Sequence, residues 1–290
     1  MPLLTNTITR RGALKTVAGA AIAALPSPAA ASGFRWALLS DTHLSAEIAN
    51  EYRGFRPYDN LRSVLPEVSQ WKPEGMFING DLARLEGLPG DYGLLKKQLE
   101  PLGNLPAGFT LGNHDDRTQF LAAFGASESG KAQPVRDKHV VILDHGGLRL
   151  ILLDSLYLVN QGAGLLGKTQ REWLDGFLVN SGDTPVLLFV HHTLDDGDIS
   201  MLDADRFLRI ATKHRNVKAV FYGHSHHYGY QEVEGLHLVN QPAVGYNFAD
   251  SEPVGWLQAT LSPQGADFTL RAIGGNREGH DKTRSLAWRS

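Results

Sequence analysis

The sequence predicts a mixed α/β sandwich. Short continuous runs of Val, Ile, Leu, Phe and Trp recur along the chain: "FRWALL" at 34–39, "MFI" at 76–78, "FTL" at 109–111, "PVLLFV" at 185–190 and "AVFY" at 219–222. Runs that do not alternate with polar residues suit strands buried on both faces. Segments with helical periodicity lie between them. The last third changes character: "LHLVNQPAV", "GWLQATLS" and "ADFTLRAI" read as strands joined by Gly/Pro turns.

Residues 1–31 come first and read as an export signal. Arg10 and Arg11 precede an Ala-rich apolar run from Ala13 to Leu25, Pro26 and Pro28 break it, and Ala29-Ala30-Ala31 offers a small-residue cleavage site. The order of charge, apolar stretch and small residues resembles a twin-arginine (Tat) signal. Ala13 stands where a bulky apolar residue is commoner, which leaves a Sec-type signal open. Removal of residues 1–31 leaves 25 basic against 31 acidic residues, so the net charge moves from −3 to −6. An exported, periplasmic enzyme that meets the export machinery is the expectation.

Residues 32–273 follow as one domain. Leu61, Val64, Leu65 and Val68 share one helical face, and Pro66 inside that stretch predicts a kink or a late start. Gln170, Trp173, Leu174, Phe177 and Leu178 share another, with Thr169 and Glu172 spaced as a capping box. Ala204, Phe207, Leu208 and Ala211 form a third. Residues 274–290, "GGNREGHDKTRSLAWRS", read as a polar C-terminal tail that Trp288 docks.

Composition narrows the chemistry. The chain has 28 Lys+Arg against 31 Asp+Glu, so no basic surplus exists to hold a long nucleic acid non-specifically. Cysteine is absent, which excludes disulfides and thiolate metal sites. His, Asp, Glu and Asn remain as the strong side-chain ligands. Seven of the twelve histidines fall in four clusters directly after apolar runs, where chance would not gather them.

Each apolar run ends in such groups: "SDTHL", "NGDL", "GNHDD", "HHT" and "GHSHH". In α/β sheets ligands gather beyond the carboxyl ends of strands, so these segments are expected to converge. Asp41 and His43 form a D-x-H pair. Gly80-Asp81 sets a carboxylate beside a glycine. Asn113 and His114 supply an amide oxygen and an imidazole, His191 ends a strand, and His224 and His226 add two more rings.

D-x-H, G-D, G-N-H-D, H-H and G-H-x-H in that order resemble the calcineurin-like metallophosphoesterase superfamily, over roughly residues 34 to 245. The segments around "LGKTQREWLDGFL" and "HHTLDDGDISMLDADRFLRIATKHRNVKAVFYGHSHH" are similar to its class III cyclic-nucleotide phosphodiesterase and glycerophosphodiesterase branch. That resemblance implies two mixed β-sheets flanked by helices, with a dimetal site at the strand C-terminal ends. It implies two divalent or trivalent ions (Fe, Mn, Zn or Co). One would sit among Asp41, His43, Asp81 and His226. The other would sit among Asp81, Asn113, His191 and His224, with both oxygens of Asp81 shared. It further implies phosphoester hydrolysis with His114 as the acid and Asp115 orienting it. The substrate would be a small diester, of cyclic-nucleotide or glycerophosphodiester type. A phosphomonoesterase, or a non-catalytic metal-binding module of the same fold, is the alternative. Thr193 and Leu194 stand where that branch often has two prolines, which leaves the substrate open. His192 and His227 are candidates for substrate contact or for packing and solvation. Asp116 reads as a cap, Asp154 as a strand terminator, and Arg84 as a phosphate contact or an exposed loop residue.

Overall fold

Twelve strands among the described residues form two six-stranded sheets stacked face to face. The computed structural model describes residues 33–125 and 134–290, so the expected export segment lies outside it. The first sheet holds β1 (Phe34–Leu39), β2 (Gly75–Asn79), β3 (Ala107–Thr110), β10 (Pro253–Ser262), β11 (Gly265–Gly275) and β12 (Thr283–Ala287), in the order β12-β11-β10-β1-β2-β3. The second holds β4 (Val141–His145), β5 (Leu148–Leu152), β6 (Val186–Phe189), β7 (Val217–Tyr222), β8 (Gly229–Val233) and β9 (Leu236–Asn240), in the order β4-β5-β6-β7-β9-β8. Both are mixed: β1, β2 and β3 run parallel, as do β5, β6, β7 and β9, while β10, β4 and β8 pair antiparallel.

The expectation of strands buried on both faces holds for β2 and β6 inside their sheets and for β3 at the end of its own: every residue of the three is buried. Between the sheets lie Trp36, Leu38, Phe77, Phe189, Phe221 and Phe268. Helices α1 (Pro57–Trp71), α2 (Pro89–Leu99) and α3 (Arg117–Phe124) cover the outer face of the first sheet. Helices α4 (Lys168–Val179) and α5 (Ala204–Lys213) cover the second. The strands β2, β3 and β6 therefore have apolar neighbours above and below.

Three local expectations are corrected. Helix α1 starts early, at Pro57, and continues past Pro66 to Trp71, because Pro66 lies on the solvent side, where the carbonyl it leaves without a donor is open to water. The capping box at α4 does not form. Gly167 is the N-cap, and the Asp203 carboxylate instead accepts from the Leu166 and Gly167 amides and from Arg171 Nε. Residues 274–290 are not a loose tail. Residues 283–287 pair with β11 as an edge strand, the Trp288 indole donates to the Ser262 carbonyl at 2.8 Å, and the buried Arg289 donates to the carbonyls of Ala211, His214 and Val217. A short edge strand with polar outward residues is hard to tell from a tail in sequence, and those residues also guard the edge.

Asp154 does more than end β5. It is fully buried and takes a forked bond from Arg117, at 2.6 and 3.0 Å, plus the His139 and Leu156 amides. Burial raises its pKa, but the Arg117 bond together with the charges of Lys138 and Arg117 and the His139 amide outweighs it, and the carboxyl is held below its usual range. Its stabilisation is therefore present above the unfolded carboxylate pKa and lost as pH falls through the lower folded value. Asp154→Asn leaves Arg117 without its counter-charge and is expected to cost about 3–5 kcal/mol at neutral pH. In urea unfolding of both proteins, the gap should narrow below about pH 4; a gap that is the same at every pH would remove the carboxylate from the explanation.

Candidate metal centre

Five loops, each following a parallel strand, carry the expected ligands to one end of the sandwich. The turns after β1 and β2 are stitched side by side: the amides of Asp41, His43 and Leu44 donate to the carbonyls of Gly80, Asp81 and Leu82 at 3.1, 2.9 and 2.9 Å. The Gly223 amide donates to the His191 carbonyl at 2.9 Å, joining the loops after β7 and β6. Asp41, His43, Asp81, His224 and His226 all adopt positive φ, between 45° and 70°. That conformation costs a side-chain-bearing residue energy, and its gathering at five of seven expected ligands marks a site that holds strain in order to aim side chains. Gly80 shows why the motif needs glycine: φ is 77°, and a Cβ there would sit 2.3 Å from His191 Nδ1.

The donor atoms converge. His43 Nε2 lies 3.0 Å from His226 Nε2, and His226 Nε2 lies 3.4 Å from Asp41 Oδ1. Asp81 Oδ2 lies 3.3 Å from His191 Nε2 and 3.7 Å from His43 Nε2. Asp41, His43 and His226 form one close set, Asp81, His191 and His224 another, and Asp81 also groups with His43 and His114. Asp81 thus sits at the junction. Its Oδ1 accepts the His114 amide at 2.9 Å while its Oδ2 faces both rings.

The chemistry of this set fits cations. Asn113 Oδ1, His191 Nε2 and both ring nitrogens of His224 are buried with no hydrogen-bond partner. Buried polar atoms are rarely left so, because an unmet one costs the full desolvation of the group. The ring nitrogens pointing away are satisfied: Nδ1 of His191 meets the Asn79 carbonyl at 2.8 Å and Nδ1 of His226 the Tyr246 carbonyl at 2.6 Å. A carbonyl only accepts, so each Nδ1 carries a hydrogen and each Nε2 is the nitrogen turned inward, as in metal-binding histidines.

Electrostatics agree. Burial raises the Asp41 carboxyl, yet the His191 and His226 rings outweigh it and bring it to about 2. Asp81 is likewise held well below its ordinary value by His191 against the pull of burial. Burial depresses His43 to about 3, and burial with His191 depresses His224 to about 4. His191 goes the other way: burial lowers it, but Asp81 and Asp41 raise it to about 10. Two sequestered carboxylates draw positive charge into the site while two of its rings stay neutral lone-pair donors.

Residues 34–228 match the calcineurin-like phosphoesterase family. The chain belongs to that family. A glycerophosphodiester phosphodiesterase of Enterobacter lignolyticus is 24% identical over 227 residues, 74% of this chain and 80% of the relative. A 3',5'-cyclic adenosine monophosphate phosphodiesterase of Haemophilus influenzae is 25% identical over 245 residues, 79% of this chain and 85% of that one. Among solved structures, a dimetal phosphatase from Danio rerio superposes with a TM-score of 0.70 at 16% identity, covering 88% of this chain and 99% of its own. The protein is a metallophosphoesterase whose candidate dimetal site is built from buried Asp and His groups.

Other members of this calcineurin-like site are placed as follows. His114 is half-buried, its Nδ1 on the Leu85 carbonyl at 3.0 Å and its ring 5.3 Å from that of His43. Asp115 does not orient it. Asp115 is turned into the loop, where its carboxylate accepts from the amides of Leu82, Ala83 and Gly112 and from the Tyr92 hydroxyl, and burial with nearby Asp81 raises it to about 7. Asp116 caps α3 through the Gln119 amide. His192 is buried, with Nδ1 on Ser155 Oγ at 2.7 Å, while His227 is exposed on Glu252. Arg84 bonds Asn50 and lies between the rings of Tyr52 and Tyr246. Sequence reasoning missed the aromatic wall: Tyr246 packs on His43 and His226, and Phe248, half exposed, stacks on His226 at 4.3 Å. Its only trace in the sequence is "GYNF" after an apolar run.

Proposed function

We propose that this metallophosphoesterase hydrolyses small phosphodiesters. The observation that carries the reading is Asp81 Oδ2, poised between rings of two ligand sets. Asp41, His43, Asp81 and His226 would hold one ion, and Asp81, Asn113, His191 and His224 the other. Donors of N and O type suit Fe, Mn, Zn or Co. Such a pair supplies Lewis acidity, polarising phosphoryl oxygens and lowering the pKa of water toward about 7. The chain's own part is positional. Positive-φ turns hold the ligands, carbonyls fix the ring tautomers, and the Asp81 carboxylate is tied by the His114 amide. His114 keeps Nε2 directed away from its Leu85 bond, so its protonated form can donate to the departing alcohol oxygen.

Diester preference is supported by the names of the two relatives and by the aromatic and polar walls beside the site, which offer room for two ester arms. The test compares bis(p-nitrophenyl) phosphate with p-nitrophenyl phosphate, with Mn or Zn added. A kcat/KM at least about tenfold higher for the diester is expected. The reverse order would make the protein a monoesterase, and turnover of neither would make it a binding module.

We also infer export, on the charge, apolar run and small-residue site of residues 1–31. Recovery of a shortened chain from the periplasm supports it, and full-length chain confined to the cytosol refutes it.

A further inference from the structure

A cavity of about 310 Å³ lies on the second sheet, lined in part by residues that neighbour His191, His224 and His226 in the chain. Thr193, Asp195, Tyr222, Ser225 and Asn240 line it, among others. Thr193 follows His192 directly, and Ser225 lies between His224 and His226. With consecutive Cα atoms about 3.8 Å apart, two of its walls are continuous with loops that carry three expected ligands. Leu194, the other residue at the position where the resembled branch often has prolines, lines it as well.

Asn240 and Asp195 supply acceptors to this cavity, beside the Tyr222 hydroxyl and the Gln231 amide, which can also donate. Asn240 ends β9 with only 5% of its surface exposed. Its amide Nδ2 donates to Ser225 Oγ at 2.8 Å, while its carbonyl oxygen Oδ1 has no partner. Asp195 takes its bond from the Ser200 hydroxyl, which is itself reached by Thr193 at 2.8 Å, and no Lys or Arg pairs with it among the described residues. The cavity therefore offers acceptors, one of them buried and unmet, and neither Lys nor Arg lines it. A donor-bearing group gains a bond to the Asn240 carbonyl there that an anionic or purely apolar group does not.

We infer that this cavity receives one alcohol arm of the phosphodiester, and that the arm carries hydrogen-bond donors, hydroxyl or ammonium, directed at Asn240 Oδ1. The inference rests on the phosphodiesterase reading above. It makes Asn240 a specificity-determining residue, and it gives Thr193 and Leu194 a role in shaping the subsite.

The test uses three p-nitrophenyl phosphodiesters whose second arm is ethyl, 2-hydroxyethyl or 2-aminoethyl, with the metal-loaded enzyme. Because a 2-hydroxyethyl or 2-aminoethyl arm can itself attack phosphorus and expel nitrophenolate as a cyclic product, turnover is counted as open-chain alkyl monophosphate above a metal-only blank, and differences then report the retained arm. The wild type should prefer a donor-bearing arm over ethyl by roughly tenfold in kcat/KM, the worth of one bond to an otherwise unpaired buried carbonyl. The hydroxyethyl and aminoethyl esters distinguish the two donor chemistries. Asn240→Leu should bring the ratio to near one, with metal content and thermal midpoint as the check on folding. Asn240→Asp keeps an acceptor and adds charge, so it should retain the preference and shift it toward the aminoethyl ester. A wild type without preference, or a preference that survives in Asn240→Leu while Asn240→Asp leaves the aminoethyl ratio unmoved, overturns the subsite. Turnover of none of the three esters overturns the phosphodiesterase reading itself, and the subsite with it.

Discussion

Asp81→Ala is expected to lose both metal ions and to lower diester turnover by about 10⁴-fold, because several kcal/mol of charge stabilisation leaves with the ions. The reason is geometric. Asp81 Oδ2 approaches a ring from each set, His43 at 3.7 Å and His191 at 3.3 Å, and it lies closer to His191 than Asp41 Oδ1 does at 3.9 Å. Asp41, by contrast, belongs to the set with His43 and His226. Asp41→Ala should therefore weaken one ion more than the other, while Asp81→Ala empties both. Elemental analysis of the purified variants after equilibration with Mn or Zn separates the cases. The shared-carboxylate reading is sunk if Asp81→Ala retains one full equivalent of metal per chain while Asp41→Ala loses both. Asp81→Asn sharpens the comparison. It keeps an oxygen and the shape but lacks the charge that raises His191 to about 10, so His191 should titrate at lower pH, visible in its ring NMR shifts in the metal-free protein.

The metal centre was legible in the sequence for a physical reason. A strand buried on both faces must be apolar to its end, so the first polar residue after it marks the rim of the sheet. Five such rims on parallel strands must share one end. The sequence pattern thus locates Asp41, Asp81, Asn113, His191 and His224 without knowledge of any contact. Side-chain direction within a loop is a different matter. Asp115 follows His114 directly, yet one faces the site and the other knots the loop through the Leu82 and Ala83 amides. Adjacency in sequence carried no information about that turn. Tyr246 and Phe248 come from a loop far along the chain and meet the site only once both sheets have stacked. The cap of α4 was misjudged for a related reason. Thr169 and Glu172 have the right spacing, but Asp203, some thirty residues away, already satisfies the amides before the helix.

His114→Ala is expected to keep both ions and lower kcat on an alkyl diester by about 10²–10³-fold, the usual range for a lost general acid. Retention of metal follows from which atom of His114 touches the ligands. The bond to Asp81 Oδ1 comes from the backbone amide, which alanine preserves, while the ring is anchored on the Leu85 carbonyl. The size of the loss should depend on the leaving group. Nitrophenolate departs readily without a proton, so its release should be much less affected, whereas an alkoxide needs the proton that Nε2 would give. Comparing a nitrophenyl ester with a dialkyl ester in the same variant therefore reads the acid role directly. Equal losses on both would assign His114 to substrate positioning instead. A drop in bound metal would mean that its ring, grouped with His43 and Asp81, is itself a ligand. Full activity on the dialkyl ester would leave the protonation of the departing oxygen to some other group.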